Sequence, residues 1–149
     1  MNENYIISII GTQTVNDNDE TIELVTSASI NEKNGKIYIK YKEYDLDNGS
    51  SYVSNTIKIE GSSKITLIKK SPSGTCNQLV LESGVRHQCL YSTPIGSLTI
   101  GIYTDLISFD INENGGTIEI DYTIDFNSDV QSDNHMMIIL RKKGETENV

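Results

Sequence analysis

The stretch Thr117-Ile118-Glu119-Ile120-Asp121-Tyr122-Thr123-Ile124-Asp125-Phe126 decides the fold class. Ile118, Ile120, Tyr122, Ile124 and Phe126 alternate with Glu119, Asp121, Thr123 and Asp125. A period of two puts the first set on one face of a strand and the second on the other. A helix would scatter both sets around its circumference. The residues are also rich in Ile, Thr and Tyr, which suit a pleated surface.

The same pattern recurs in both directions. Leu98, Ile100 and Ile102 alternate with Thr99, Gly101 and Tyr103. Ile37, Ile39 and Tyr41 alternate with Lys36, Tyr38, Lys40 and Lys42. Turn formers punctuate it: Asn16-Asp17-Asn18-Asp19, Asn34-Gly35, Asp47-Asn48-Gly49, Gly61-Ser62-Ser63, Pro72-Ser73-Gly74, Ser83-Gly84, Pro94-Ile95-Gly96, Asn114-Gly115-Gly116 and Asn127-Ser128-Asp129. Asn-Gly is apt for a tight hairpin because both residues accept positive φ. Nine turns separate about ten strands, near 4–14, 20–30, 36–45, 51–60, 64–71, 75–82, 85–92, 97–111, 117–127 and 133–142. Short turns join neighbours antiparallel. Ten such strands accumulate twist and close on themselves, which removes exposed edges. The expected architecture is all-β, one closed antiparallel up-and-down barrel over residues 1–149, with 144–149 frayed. A two-sheet sandwich is the alternative.

Composition sets limits on function. The chain has 149 residues with 36% hydrophobic and 22% charged residues, a lean but sufficient content for one core. No apolar run is long enough to span a bilayer, and no basic, then apolar leader opens the chain. A cytoplasmic location, without membrane contact, is the expectation. The net charge of −9 argues against general nucleic-acid binding. It is unevenly spread: residues 1–32 and 95–140 contain no Lys or Arg, whereas residues 33–94 hold nine basic side chains against five acidic ones. Cys76 and Cys89 are too few for a disulfide framework and suit a reducing compartment. The sequon Asn48-Gly49-Ser50 reads as a turn.

Several segments, in order, resemble a known family. They are Thr21-Ile22-Glu23-Leu24 leading to Thr26, Gly35-Lys36-Ile37-Tyr38-Ile39-Lys40-Tyr41-Lys42-Glu43, Asn55-Thr56-Ile57-Lys58-Ile59, Tyr91-Ser92-Thr93-Pro94-Ile95-Gly96, Thr104-Asp105, and Gly115-Gly116-Thr117-Ile118-Glu119-Ile120-Asp121-Tyr122. The chain resembles the YwiB-like family of uncharacterised bacterial proteins. The resemblance implies a calycin-like β-barrel over nearly the whole chain. It brings no established activity and therefore no catalytic residue. Thr93-Pro94-Ile95 stands where an aromatic often precedes the Gly, and Ser27-Ala28-Ser29 where a Gly is common.

Four kinds of chemistry remain to be weighed. A barrel of this size can enclose a small-molecule cavity. Val85, His87, Cys89 and Tyr91 share one phase, Ile37, Ile39, Tyr41 and Glu43 another, and Tyr122 lies on a third inward row. Tyr41, Glu43, His87, Tyr91 and Tyr122 are thus the candidate ligand-binding residues. The competing reading is a packed interior whose polar ends bond one another or reach solvent. Glu43 and His87 would make an acid–base pair if they met across the lumen, but no nucleophile or phosphate-loop motif accompanies them. No catalytic residue, metal ligand or cofactor is assigned. A hairpin at Ser83-Gly84 would bring Cys76 close to Cys89, either as two buried reduced thiols or as part of a metal site. Lastly, Lys36, Tyr38, Lys40, Lys42, Lys58, Lys64 and Lys70 share outward phases on neighbouring strands. They form a basic face suited to an acidic partner or RNA, or simply a solvated surface that discourages edge pairing.

Overall fold

The computed structural model describes residues 4–44, 49–93, 96–126 and 129–144. The expected turns around Asp47-Asn48, Pro94-Ile95 and Asn127-Ser128, and the expected fraying of 145–149, lie outside them. Ten strands follow in order: β1 (Tyr5–Val15), β2 (Asn18–Lys33), β3 (Lys36–Tyr44), β4 (Tyr52–Glu60), β5 (Lys64–Lys70), β6 (Cys76–Glu82), β7 (Arg86–Thr93), β8 (Gly96–Asn112), β9 (Gly115–Phe126) and β10 (Asp129–Lys142).

Turn chemistry sets the register. Val15 pairs with Asn18 and Lys33 with Lys36, leaving two-residue loops. Both residues of each loop have positive φ: Asn16 50° and Asp17 65°, Asn34 55° and Gly35 76°. This mirror-image turn matches the twist of the strands it joins. Gly116 has φ +146°, and a Cβ there would lie 1.9 Å from the carbonyl oxygen of Asp110 on β8. Only glycine fits so close a backbone approach.

Every ladder between these strands is antiparallel, and one sheet runs β6-β5-β4-β3-β2-β1-β10-β9-β8-β7. β1 pairs with β10 from Tyr5↔Lys142 to Thr14↔Asp133, so the first and last strands are joined. The sheet curls until β6 lies beside β7, making a nearly closed up-and-down barrel.

The β6–β7 junction is a seam rather than a regular ladder. Asn77 Nδ2 donates to the Ser92 carbonyl at 3.0 Å, and Ser92 N–H donates to Asn77 Oδ1 at 2.8 Å. The Val80 N–H donates to Cys89 Sγ at 3.5 Å. Only at the turn does a backbone bridge join Glu82 to Val85. This corrects the expected approach of the two cysteines. Cys89 lies against Val80, four residues, or about 13 Å of strand, from Cys76. Cys89 is buried but Cys76 is exposed, and both are free thiols. Val85, at the turn, is exposed rather than inward.

β8 keeps one face inward over seventeen residues by changing phase. Thr104 pairs with Tyr122, but Leu106 rather than Asp105 pairs with Asp121. This bulge moves the inward row from Ile100, Ile102 and Thr104 to Ile107, Phe109 and Ile111. The core is a layer of buried aliphatics, including Ile7, Ile39, Ile57, Ile59, Ile65, Leu81, Ile118, Ile120 and Ile138.

Candidate functional site

The inward rows change character along the barrel. On β4 the row runs Ile59, Ile57, Asn55; on β5 Ile65, Leu67, Lys69; on β6 Leu81, Leu79, Asn77. On β3 it runs Ile37, Ile39, Tyr41, Glu43, and on β9 Ile118, Ile120, Tyr122. Each passes from the aliphatic layer to a tyrosine, an amide or a charge. In an up-and-down sheet these polar ends gather at one mouth, where β3, β5, β7 and β9 finish. The barrel is therefore packed at one end and hollow at the other.

Two cavities occupy the hollow end. The first, about 190 Å³, lies between Tyr41, Tyr91 and Tyr122, over a floor that includes Ile57, Leu67 and Leu79. Asn55, Asn77 and Lys69 complete its wall. The second, about 300 Å³, shares Ile9, Tyr41, Tyr122 and Met136 with the first and extends past Glu43 to Leu24 and Ile22. Ile22 is 66% exposed and gives this mouth an apolar lip. A wider opening lined by Ser71, Ser73, Thr75 and Ser92 meets the first cavity at Lys69 and Asn77.

The polar groups sort into engaged and free. Asn55 Nδ2 donates to Glu43 Oε1 at 2.9 Å, and Lys69 Nζ lies 3.4 Å from the same oxygen. Asn77 is held by Ser92. The hydroxyls of Tyr41, Tyr91 and Tyr122 have no protein partner among the described residues. Burial, and then the Glu43 carboxylate, push the Tyr41 phenol above its ordinary value; burial alone raises Tyr122. Both phenols thus stay protonated at neutral pH and remain donors.

Of the residues expected to bind a ligand, the structure brings Tyr41, Tyr91 and Tyr122 to one cavity and Glu43 to its neighbour. His87 lies four residues from Tyr91 on β7, and its Nε2 is 2.8 Å from Glu82 Oε1. Glu43 and His87 are thus engaged with different partners, and the acid–base pair across the lumen is not formed. His135 borders the second cavity and bonds Asp121 through Nδ1. Lys69, Asn55 and Asn77 escaped the sequence reading. The signal was present: each shares the inward phase of the aliphatic residues beside it, Asn55 with Ile57, Asn77 with Leu79 and Lys69 with Leu67.

The basic face forms as the phases require, and its charges divide. Lys36 and Lys58 lie 3.6 and 3.5 Å from Glu60. Desolvation pushes the Glu60 carboxyl up, but the ammonium groups of Lys58, Lys36 and Lys64 together outweigh it and hold the carboxyl below the usual range. Tyr38 lies opposite Lys58. Lys42 Nζ sits 4.6 Å from the centroid of Tyr52, a cation–π contact. Lys40 and Lys70 have no ion-pair partner among the described residues. On the opposite side of the barrel, Arg86 crosses over Gly101 to grip Asp125 through both oxygens at 2.6 and 3.0 Å. Among the described residues no cluster of His, Cys, Asp and Glu is arranged to hold a metal.

Comparison with known proteins agrees with this architecture. The crystal structure of the ywiB protein from Bacillus subtilis superposes with a TM-score of 0.80 at 18% identity, covering 94% of this chain and 92% of that one. At that identity the likeness establishes the fold. No curated protein matches the chain. The model of a domain of unknown function, DUF1934, matches residues 7–138, and the chain belongs to that YwiB-like family of β-barrel proteins.

Proposed function

We propose that the barrel is a non-enzymatic binding protein for a small amphipathic molecule, held at its hollow end. The observation that carries this reading is the trio of half-buried tyrosines, Tyr41, Tyr91 and Tyr122, whose hydroxyls lack protein partners around one cavity. These hydroxyls are open to the cavity rather than sealed in the core, so a ligand that accepts hydrogen bonds from the phenols is well matched. Ile57, Leu67, Leu79 and Met136 offer an apolar bed. Lys69 and the hydroxyls of Ser71, Ser73 and Thr75 face the opening. The fitting ligand has a compact apolar body and an acceptor-rich or anionic head directed toward Lys69. Small-molecule sites commonly join an apolar lining to a few placed polar groups in this way.

Binding rather than catalysis is favoured because the ionisable groups are engaged in pairs: Glu43 with Lys69, His87 with Glu82, and His135 with Asp121. We place the protein in the cytoplasm, where an exposed thiol such as Cys76 stays reduced. Among the described residues no helix is long and apolar enough to cross a membrane.

Native mass spectrometry of gently purified protein tests the reading. The expected spectrum shows a bound small organic molecule that Leu79→Trp, which fills the cavity, expels without loss of the fold. Protein that carries no adduct and takes up no anionic amphiphile such as octanoate, or an adduct that survives in a folded Leu79→Trp variant, would overturn it.

A further inference from the structure

The outer surface of the β3–β4 wall carries a second depression, about 250 Å³, bordered by Ser29, Lys40, Lys42, Ser54 and Thr56. Its form follows from register. Lys40 lies opposite Ser29 on β2 and Thr56 on β4, and Lys42 lies opposite Ser54. Two long cationic side chains are thus flanked by short hydroxyl residues, which leaves a hollow between the lysine stems. Lys70, on β5, pairs with Ser54 and adds a third ammonium group at the edge.

We propose that this depression is an oxyanion site that takes the phosphoryl group of a small molecule. Lys40 and Lys70 have no acidic partner, and the hydroxyls of Ser54 and Thr56 have no protein partner, among the described residues. The carboxylate that neutralises this face, Glu60, is four residues from Thr56 along β4. That is about 13 Å of strand, beyond the roughly 8 Å screening length of physiological salt. The nearer carboxylate, Glu43, is taken up by Asn55 and Lys69, so among the described residues none pairs with Lys40, Lys42 or Lys70. Ammonium groups and hydroxyls converging on one hollow donate the charge-assisted hydrogen bonds that a phosphoryl group accepts. A single such group suits the site better than a nucleic-acid strand, because the −9 net charge opposes the approach of a long polyanion. The site lies outside the barrel and does not depend on the ligand proposed for the lumen.

Amide NMR spectra titrated with inorganic phosphate and glycerol phosphate, at ionic strength held constant with chloride, decide the matter. Saturable shifts are expected at Ser29, Lys40, Ser54 and Thr56. Lys40→Gln should weaken binding about tenfold, the scale of one charge-assisted hydrogen bond, whereas Lys33→Gln should leave it unchanged. Both lysines are exposed, and an unaltered thermal melt confirms that each variant is folded. Shifts that never saturate, or that Lys40→Gln leaves intact, overturn the site. A single-stranded oligonucleotide that binds more tightly than glycerol phosphate, with shifts spread from Lys36 to Lys70, would overturn the small-molecule assignment in favour of a polymer.

Discussion

Thr104 lies in the inward row of β8, fully buried, and its Oγ1 has no hydrogen-bond partner. A buried hydroxyl in that condition is destabilising by about 1–3 kcal/mol. Thr104→Val keeps the shape and removes the hydroxyl, so it should raise stability by roughly 1 kcal/mol. A urea midpoint that stays put or falls would show that the hydroxyl is in fact satisfied. Tyr41 and Tyr122 give a pH signature. Their phenols are raised in the folded state, by burial and, for Tyr41, also by Glu43. Below about pH 10 both folded and unfolded chains keep these protons. Above it the unfolded chain releases protons that the folded chain retains, so stability falls as pH rises. An ultraviolet titration should show two of the eight tyrosines ionising late, and Tyr41→Phe should remove one of them and soften the alkaline loss of stability.

At the scale of the element, the β6–β7 seam is the weak join of the sheet. Asn77 replaces ladder bonds with its side-chain amide, satisfying both backbone groups of Ser92. Asn77→Ala should destabilise the protein by about 1–3 kcal/mol, since it strands those groups. Hydrogen exchange should then quicken in β6 and β7 before β1 and β10; uniform quickening would refute a local seam. Strand existence and bounds were legible in the sequence because alternation and turn residues agree. Asn34-Gly35 could form only a tight hairpin, and Ile118 to Phe126 only a half-buried strand. The seam was not legible, because a side chain standing in for backbone pairing leaves no trace in a period of two. A symmetric hairpin about Ser83-Gly84 sets Cys76 opposite Tyr91 and Cys89 opposite Gln78, so the expected approach of the two cysteines was already two residues out of register. The seam, with Cys89 against Val80, widens the offset. The site was legible in part. Tyr41, Tyr91 and Tyr122 declared themselves as polar-tipped members of greasy rows. Asn55, Asn77 and Lys69 were not marked as site residues, although they share the phase of Ile57, Leu79 and Leu67. His87 had the right phase but the wrong height, and lies beside Glu82 instead.

For the whole molecule, the order of the sheet makes the interruption fall in mid-chain and the continuity fall between the first and last strands. Tyr5 and Lys142 are ladder partners, so a short linker can join their ends. A circular permutant opened at Ser83-Gly84, where no regular ladder is cut, should fold and keep most of the parent's stability. Opening at Asn34-Gly35 instead severs a tight hairpin and should be more damaging. Equal thermal midpoints for the two permutants would contradict this ranking. The charge pattern also belongs to this scale, since the lysine-rich sector is carried by β3 to β5 while β8 to β10 are acidic. One molecule therefore presents opposite potentials on different sides, and its encounters with charged partners are orientation-dependent.

The pairing of β1 with β10 also bears on how the protein is born. A chain emerging from the ribosome can zip β1 to β5 as successive hairpins, yet one flank of β1 stays bare until the tenth strand is made. Throughout synthesis that flank is a template for any passing extended segment. Closure of the barrel is thus timed by β10, and the nascent chain is most open to mispairing, or to shielding by a chaperone, just before that strand is made.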